Sequence, residues 1–245
     1  MAEQLSPAAQ AFTVTIEADP YASSHVWLAN TRGNDNERFF EGDWAERFYP
    51  GPHQTKGEVA LRVLSSEGLI AKAQAHFAVL ANTHHVTVAE TYLAPGQRVV
   101  DGQDRSGVRG LVRIIEGRPL LDTHAEQLNH TDQTKLVRHA NSLLDYLDWV
   151  ITAQPDYYLA DIFRPSQAVI TADDATVVDT DPVMEEPTPL SLFMNVRDVA
   201  VLYSEYIAET SARQQLRVRA GNLMQILAVR SHGQFDANDI AGWLR

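Results

Sequence analysis

Asp161, Gln167, Asp179 and Asp181 are an acid, an amide and two further acids gathered within one short stretch of the chain. Asp161 follows a long helical pattern, and Pro165-Ser-Gln167 comes directly after it. An apolar run, a turn at Asp173-Asp174 and a second apolar run then lead to Asp179-Thr-Asp181. Phosphoryl transfer needs such an inventory. One carboxylate orients or deprotonates the attacking hydroxyl, and another, with an amide oxygen, holds the Mg²⁺ that bridges the phosphates. The spacing predicts a β-hairpin between the two groups, which folds position 161 back towards 179 and 181. Oxygen ligands suit Mg²⁺, and the loop has no thiol or imidazole to favour zinc. Asp179 and Asp181 flank a threonine, so strand alternation aims both at one face. Plainer readings stand beside these: a turn cap for Asp161, solvated turn carboxylates ahead of Pro182, and a surface ion pair for Arg164 instead of a substrate phosphate.

These residues must be held by the elements around them. Phe12–Ile16 alternates apolar and polar residues, and His25–Asn30, Arg38–Phe40 and Trp44–Tyr49 read as further strands, which predicts an antiparallel meander. Residues 54–82 repeat apolar positions at helical spacing, with Gly68 weakening the middle. His85–Leu93 reads as strand, Pro95–Arg109 as a polar loop and Gly110–Ile115 as a short apolar strand. Residues 132–152 carry one apolar stripe, Leu136, Ala140, Leu143, Leu144, Leu147 and Val150, and predict a long helix. Two further helices are expected over 195–209 and 211–230. Strands first and helices afterwards predict an α+β fold. The natural cut falls near residues 116–122.

The 245 residues include 44% hydrophobic ones, enough for a core, and a chain of this length buries roughly 70–75% of its unfolded surface. The absence of cysteine excludes disulfides, thiolate zinc sites and a cysteine nucleophile. A net charge of −12 disfavours binding to nucleic-acid backbones. No apolar stretch reaches membrane-spanning length. The first residues lack a signal-peptide pattern, so the expected location is the cytoplasm. Arg213, Arg217, Arg219 and Arg230 make the last quarter locally basic, either as a solvated helix face or as an anion-binding patch. His84 and His85 lack a third ligand at useful spacing and read as structural.

Taken in order, these segments resemble the protein-kinase-like superfamily, in its aminoglycoside-phosphotransferase-like or atypical branch. Asp161-Ile-Phe-Arg-Pro-Ser-Gln167 is similar to the catalytic loop, and Val177-Val-Asp-Thr-Asp181 to the metal-binding end of the hairpin. Trp44-Ala-Glu-Arg-Phe-Tyr-Pro50 resembles the third strand, Gly110-Leu-Val-Arg-Ile-Ile-Glu-Gly-Arg-Pro-Leu120 the strand and hinge where adenine docks, and Asn195-Val-Arg-Asp-Val-Ala-Val-Leu202 the helix after the metal loop. The resemblance implies a two-lobed fold in one domain, with a β-rich lobe over 1–118 and a helical lobe over 119–245. It implies ATP and Mg²⁺ as cofactors, with Asp161 and Arg164 catalytic and Gln167, Asp179 and Asp181 on the metal. Arg47, with Glu58 or Glu67 as its partner, and Ile115 and Glu116 would hold the nucleotide. The chain departs from the family pattern in lacking a glycine-rich loop after the first strand, a lysine on the third strand and the histidine before the catalytic aspartate. One residue is inserted before Pro165, and Gln167 replaces asparagine. These departures imply a second reading, a pseudokinase that binds or scaffolds a protein partner. A third is an unrelated α+β regulatory protein.

Overall fold

Strands predominate before Pro119 and helices after it. The computed structural model describes residues 26–27, 37–40, 44–51, 53–54, 63–100, 102–113, 115–120, 123–178, 180, 182–231 and 240–244. Strands β1 (Val26–Trp27), β2 (Glu37–Phe40), β3 (Trp44–Pro50), β7 (Thr91–Val100) and β8 (Gln103–Arg113) form one sheet in the order β1-β2-β3-β8-β7. Every pairing in that sheet is antiparallel. The strands expected at Arg38–Phe40 and Trp44–Tyr49 are present. Phe12–Ile16 lies outside the described residues.

Helix α1 (Ser66–Thr83) starts where Ser65 accepts a hydrogen bond from Gly68 N at 3.1 Å. A serine at that position satisfies one of the free amides of the first turn. Among the described residues the helical reading of 54–82 holds from Ser66. Before it, β4 (His53–Gln54) pairs with β5 (Val63–Leu64). Gly68 sits in the first turn and divides nothing.

The expected polar loop over Pro95–Arg109 is instead a long hairpin. β7 and β8 pair from Thr91↔Val112 out to Val100↔Gln103, with the turn made by Gly102 at φ 73°. Gly96 and Gly107 face each other in it. A Cβ on Gly96 would lie 2.3 Å from Cδ of Arg109, and one on Gly107 would lie 2.2 Å from the Tyr49 carbonyl oxygen. The two glycines that suggested a loop are in strand because neighbouring groups need their space.

The helical part follows the sequence closely. α2 (His130–Ala153) is capped by Asn129, whose side chain accepts from Asp132 N at 2.9 Å, and it ends on Gln154 in the left-handed region. Its predicted stripe is fully buried. α3 (Pro189–Ser204) opens earlier than expected, because Thr188 caps it and Pro189 fits the first turn without a donor to lose. α4 (Thr210–Arg230) returns against α3, and the short α5 (Ile240–Trp243) packs on α4. One hydrophobic cluster joins Leu69, Leu80 and Val108 to Leu143, Leu147, Val196 and Leu223.

Candidate functional site

A second, smaller sheet assembles the segments singled out in the sequence. β11 (Ala168–Ile170) and β12 (Ala175–Val177) pair as the expected hairpin. Val178 N donates to Gln167 O at 2.9 Å and extends the ladder by one step. β9 (Arg118–Pro119) adds to the outer edge of β11, and β6 (Thr87–Val88) runs parallel to β12, giving the order β6-β12-β11-β9. The stretch read as a hinge thus lies directly beside the hairpin. At Gly117 a Cβ would stand 2.5 Å from Ile170 O, so the backbone approach there requires glycine. Ile115 is half-buried and Glu116 is exposed.

The turn of this hairpin is anchored on α2. Lys135 Nζ donates to Thr171 O at 2.8 Å and to Ala172 O at 2.6 Å. Asp174 accepts from Thr87 Oγ1 and from Arg138 Nη2, each at 2.7 Å. Burial works to raise the Asp174 pKa, but these hydrogen bonds outweigh it and hold the carboxyl below its ordinary range.

A third pairing closes the other end. β10 (Tyr158–Leu159) pairs with β13 (Met184–Glu185), and Ala160 N donates to Val183 O at 3.2 Å. The loop 160–167 and the segment 178–183 are therefore tied together at both ends, by Ala160–Val183 and by Gln167–Val178. Asp161 is half-buried in this loop, between the strand β10 and the buried Ile162 and Phe163. Pro165 is buried and opens the 3-10 turn Pro165–Gln167, and Gln167 is half-buried. Arg164 is 65% exposed, with Nε 3.7 Å from Asp198 Oδ2, so its contact is the surface ion pair. Thr180 is fully buried and shares a 2.8 Å hydroxyl contact with Thr91, which also donates to Ala89 O. Asp179, Asp181 and Glu58 lie outside the described residues, so the ligand set expected for Mg²⁺ is described here only at Gln167.

Arg47 pairs with Gly110, which pairs with Leu93, so the three share one face of the large sheet. Tyr49, Val108 and Thr91 lie on that same face, and Val108 and Leu93 belong to the hydrophobic cluster. Two strand spacings and one step of two residues separate the Arg47 and Thr91 backbones by roughly 12 Å. Arg47 thus stands on the face that Thr180 touches through Thr91. Glu46 points the opposite way and is 3% exposed, in an ion pair with the equally buried Arg109. Glu67 lies exposed in the first turn of α1, away from the buried side formed by Leu69, Ile70, Ala73 and Leu80. It stands as surface charge, and the structure does not bring it to Arg47.

The sequence reading missed His76. It occupies the buried side of α1, where a kinase-like reading looks for a glutamate, and its Nδ1 lies 2.8 Å from Tyr146 Oη. Leu159 N donates to the same hydroxyl at 3.2 Å. One arrangement satisfies all three groups: Tyr146 accepts from Leu159 and donates to Nδ1, while Nε2–H meets the Tyr157 backbone. Burial pushes the His76 pKa down to about 4, with Lys72 adding to the shift and the Tyr157 bond opposing it. The neutral ring ties α1 to the strand that enters the Asp161 loop. Its position in the row 69, 73, 76, 80 was the available signal. His84 caps the end of α1 and packs against Tyr146 and Trp149, in the structural role expected of it.

Comparison with solved structures returns protein kinases. The chain is similar to the Mycobacterium tuberculosis PknI kinase domain, at 14% identity, 90% of this chain, 95% of that one and a TM-score of 0.43. It is similar to WbdD, a bifunctional kinase-methyltransferase, at 16% identity over 91% of this chain and 53% of that one, with a TM-score of 0.42. It is also similar to the Legionella pneumophila LegK7 effector kinase, at 9% identity, 96% and 66% coverage and a TM-score of 0.42. The fold itself is α+β. At these scores the likeness assigns no residue a role. The chain spans about half the length of the WbdD chain and two thirds of the LegK7 chain. No family model matches, and no curated protein matches. No described helix is long and apolar enough to cross a membrane.

Proposed function

We propose that the chain is a diverged kinase-like phosphotransferase that uses ATP and Mg²⁺ to phosphorylate a hydroxyl on a small molecule or a protein. In this reading Asp161 orients the hydroxyl, and Gln167 holds Mg²⁺ together with Asp179 and Asp181. Arg47 meets the nucleotide phosphates, and Ile115 and Glu116 flank the adenine beside β9. Glu58 remains the candidate partner of Arg47, and the lobes divide at 118/119. Arg164, an exposed cation next to Asp161, guides the phosphate-bearing face of the substrate. Mg²⁺ would supply charge neutralisation between the transferring phosphates. The observation that carries this reading is the double tie of loop 160–167 to segment 178–183. It supports the Asp161 and Gln167 backbone being fixed against the chain that bears the other two acids.

A second reading is a pseudokinase that binds nucleotide or a protein partner without turnover. It is favoured by Arg47 on the inner face of β3, because a guanidinium does not reproduce the compact, reorientable charge of a lysine. One experiment separates the readings. Thermal unfolding is followed with ATP, with Mg²⁺ and with both, and γ-phosphate loss is measured on the same samples. Binding at about 100 times Kd adds about 2.7 kcal/mol and raises Tm. The first reading expects a Mg²⁺-dependent rise that Asp179→Asn removes, together with slow turnover that Asp161→Asn abolishes. A rise without turnover leaves the pseudokinase. The absence of any rise defeats both nucleotide readings.

A further inference from the structure

The second candidate site lies on α4, away from the hairpin. Its face at Thr210, Arg213, Gln214, Arg217 and Val218 lines a half-open cavity of about 490 Å³. These positions recur at intervals of three and four, so they form one stripe of the helix. Several other arginines among the described residues end on acceptors of the protein itself. Arg109 pairs with Glu46, Arg118 with Asp132, Arg138 with Asp174 and Arg219 with Asp145, and Arg230 donates to Ile151 O. Arg213 and Arg217 differ. Arg213 donates only to the hydroxyl of Thr210, at 3.3 Å, and Nε of Arg217 is desolvated with no acceptor. Among the described residues neither meets a carboxylate, although the chain carries 32 acidic residues against 20 basic ones. The nearby Glu209 carboxylate accepts instead from Ser211 Oγ.

Neither guanidinium is neutralised by a carboxylate, and an anion in the cavity they line would pair with both. Two guanidinium groups one helical turn apart bring two positive charges and fork-shaped donors to the same cavity. A phosphate monoester carries nearly two negative charges and three acceptor oxygens, and so matches that array better than a single carboxylate does. The cavity is much larger than a phosphate ion, and Val218, 57% exposed, gives it an apolar wall. That space would admit a ligand with an organic body beyond its phosphate.

We propose that Arg213 and Arg217 of α4, with Thr210 and Gln214, form a binding site for a phosphate monoester, separate from the hairpin site. The acidic surplus of the chain repels anions at a distance, so binding depends on direct contact and weakens as salt is added.

Inorganic phosphate and then O-phosphoserine are titrated into the full chain at low salt, and binding is read by calorimetry and by amide NMR shifts. Saturable binding of O-phosphoserine is expected, with shifts centred on 210–218. Arg217→Ala should weaken it about tenfold, the effect of losing one charged hydrogen-bond pair. Arg213→Gln with Arg217→Gln should abolish it while keeping the helix and its melting temperature. Asp161→Asn should leave it unchanged, so this site and the phosphotransfer reading fail independently. Absence of saturable binding overturns the proposal. So does binding that survives the double Gln variant, or binding that disappears with Asp161→Asn, because the phosphate would then lie in the hairpin site.

Discussion

The two sheets are held by charges in opposite ways. In the large sheet, Glu46 and Arg109 form an ion pair that is 3% exposed on each side. In the small sheet, Asp174 meets Arg138, a residue whose side chain is 59% exposed, and Thr87 beside it. The first pair is dry, so its Coulomb attraction is strong, but each partner becomes a buried, uncompensated charge once the other is removed. Water reaches the second pair, and it can be lost cheaply. The large sheet is thus held behind Arg47 by a pair that cannot be opened cheaply, whereas the Asp174–Arg138 pair can be lost while Lys135 still holds the hairpin turn to α2.

The comparison is broken most severely by removing one buried charge. Glu46→Ala or Arg109→Ala should each cost about 3–5 kcal/mol, read as a lower urea midpoint at unchanged slope. Replacing both residues by apolar side chains of similar volume should recover most of that loss. If the single changes cost no more than a surface pair, the large sheet is not held as described.

Acid gives the next largest effect. Burial lowers the pKa of both His76 and His139 from 6.5 to about 4. The unfolded chain therefore binds more protons than the native one between those values. The stability these neutral rings contribute is complete above pH 6.5 and declines as the pH falls towards 4, by up to about 3 kcal/mol per ring. Urea midpoints measured from pH 7 to pH 4.5 should fall, and His139→Leu should flatten the fall. A wild-type midpoint that stays constant over that range would show that neither ring is held neutral.

Lys135 tests the hairpin itself. Its ammonium donates to two carbonyls of the turn, and its side chain is 9% exposed. Lys135→Met keeps the buried stem and deletes both bonds, with an expected cost of about 1–3 kcal/mol. Amide exchange should quicken over 168–177 and stay unchanged in β8, since local opening follows local support.

What could be read from the sequence follows the same division. The long helix was expected over 132–152 and runs from His130 to Ala153, because its stripe of six apolar residues leaves one way to bury it. The hairpin about Asp173-Asp174 was legible for a similar reason: two apolar runs around a polar turn admit few pairings. The β7–β8 hairpin was not legible. Pro95, Gly96, Gly102 and Gly107 are turn residues locally, and only the side chain of Arg109 lying over Gly96 makes that glycine necessary in a strand. The inward place of His76, the pairing of β9 with β11 and the Thr91–Thr180 contact join residues 50 to 89 positions apart, and no local spacing signals them. Of the proposed site, Asp161, Gln167 and Arg47 could be named as candidates because they lie in short patterned segments. Glu67 misled because helical position alone does not say which side of α1 faces the sheet.

The smallest effect belongs to Arg138. Arg138→Ala removes an ion pair that is largely in water, and the expected loss is at most about 1 kcal/mol, shrinking further in salt. Asp174 keeps its bond from Thr87, so its carboxyl should stay ionised at neutral pH and the turn should keep its shape. The informative measurement is a pair of urea midpoints at low and high salt, set beside those of Glu46→Ala. The Arg138 loss should fade with added salt, while the Glu46 loss should not, because ions do not enter the space around a pair that is 3% exposed. Equal salt sensitivity in the two variants would mean that water reaches both pairs, and the contrast between a dry pair in the large sheet and a wet one at the hairpin turn would be lost.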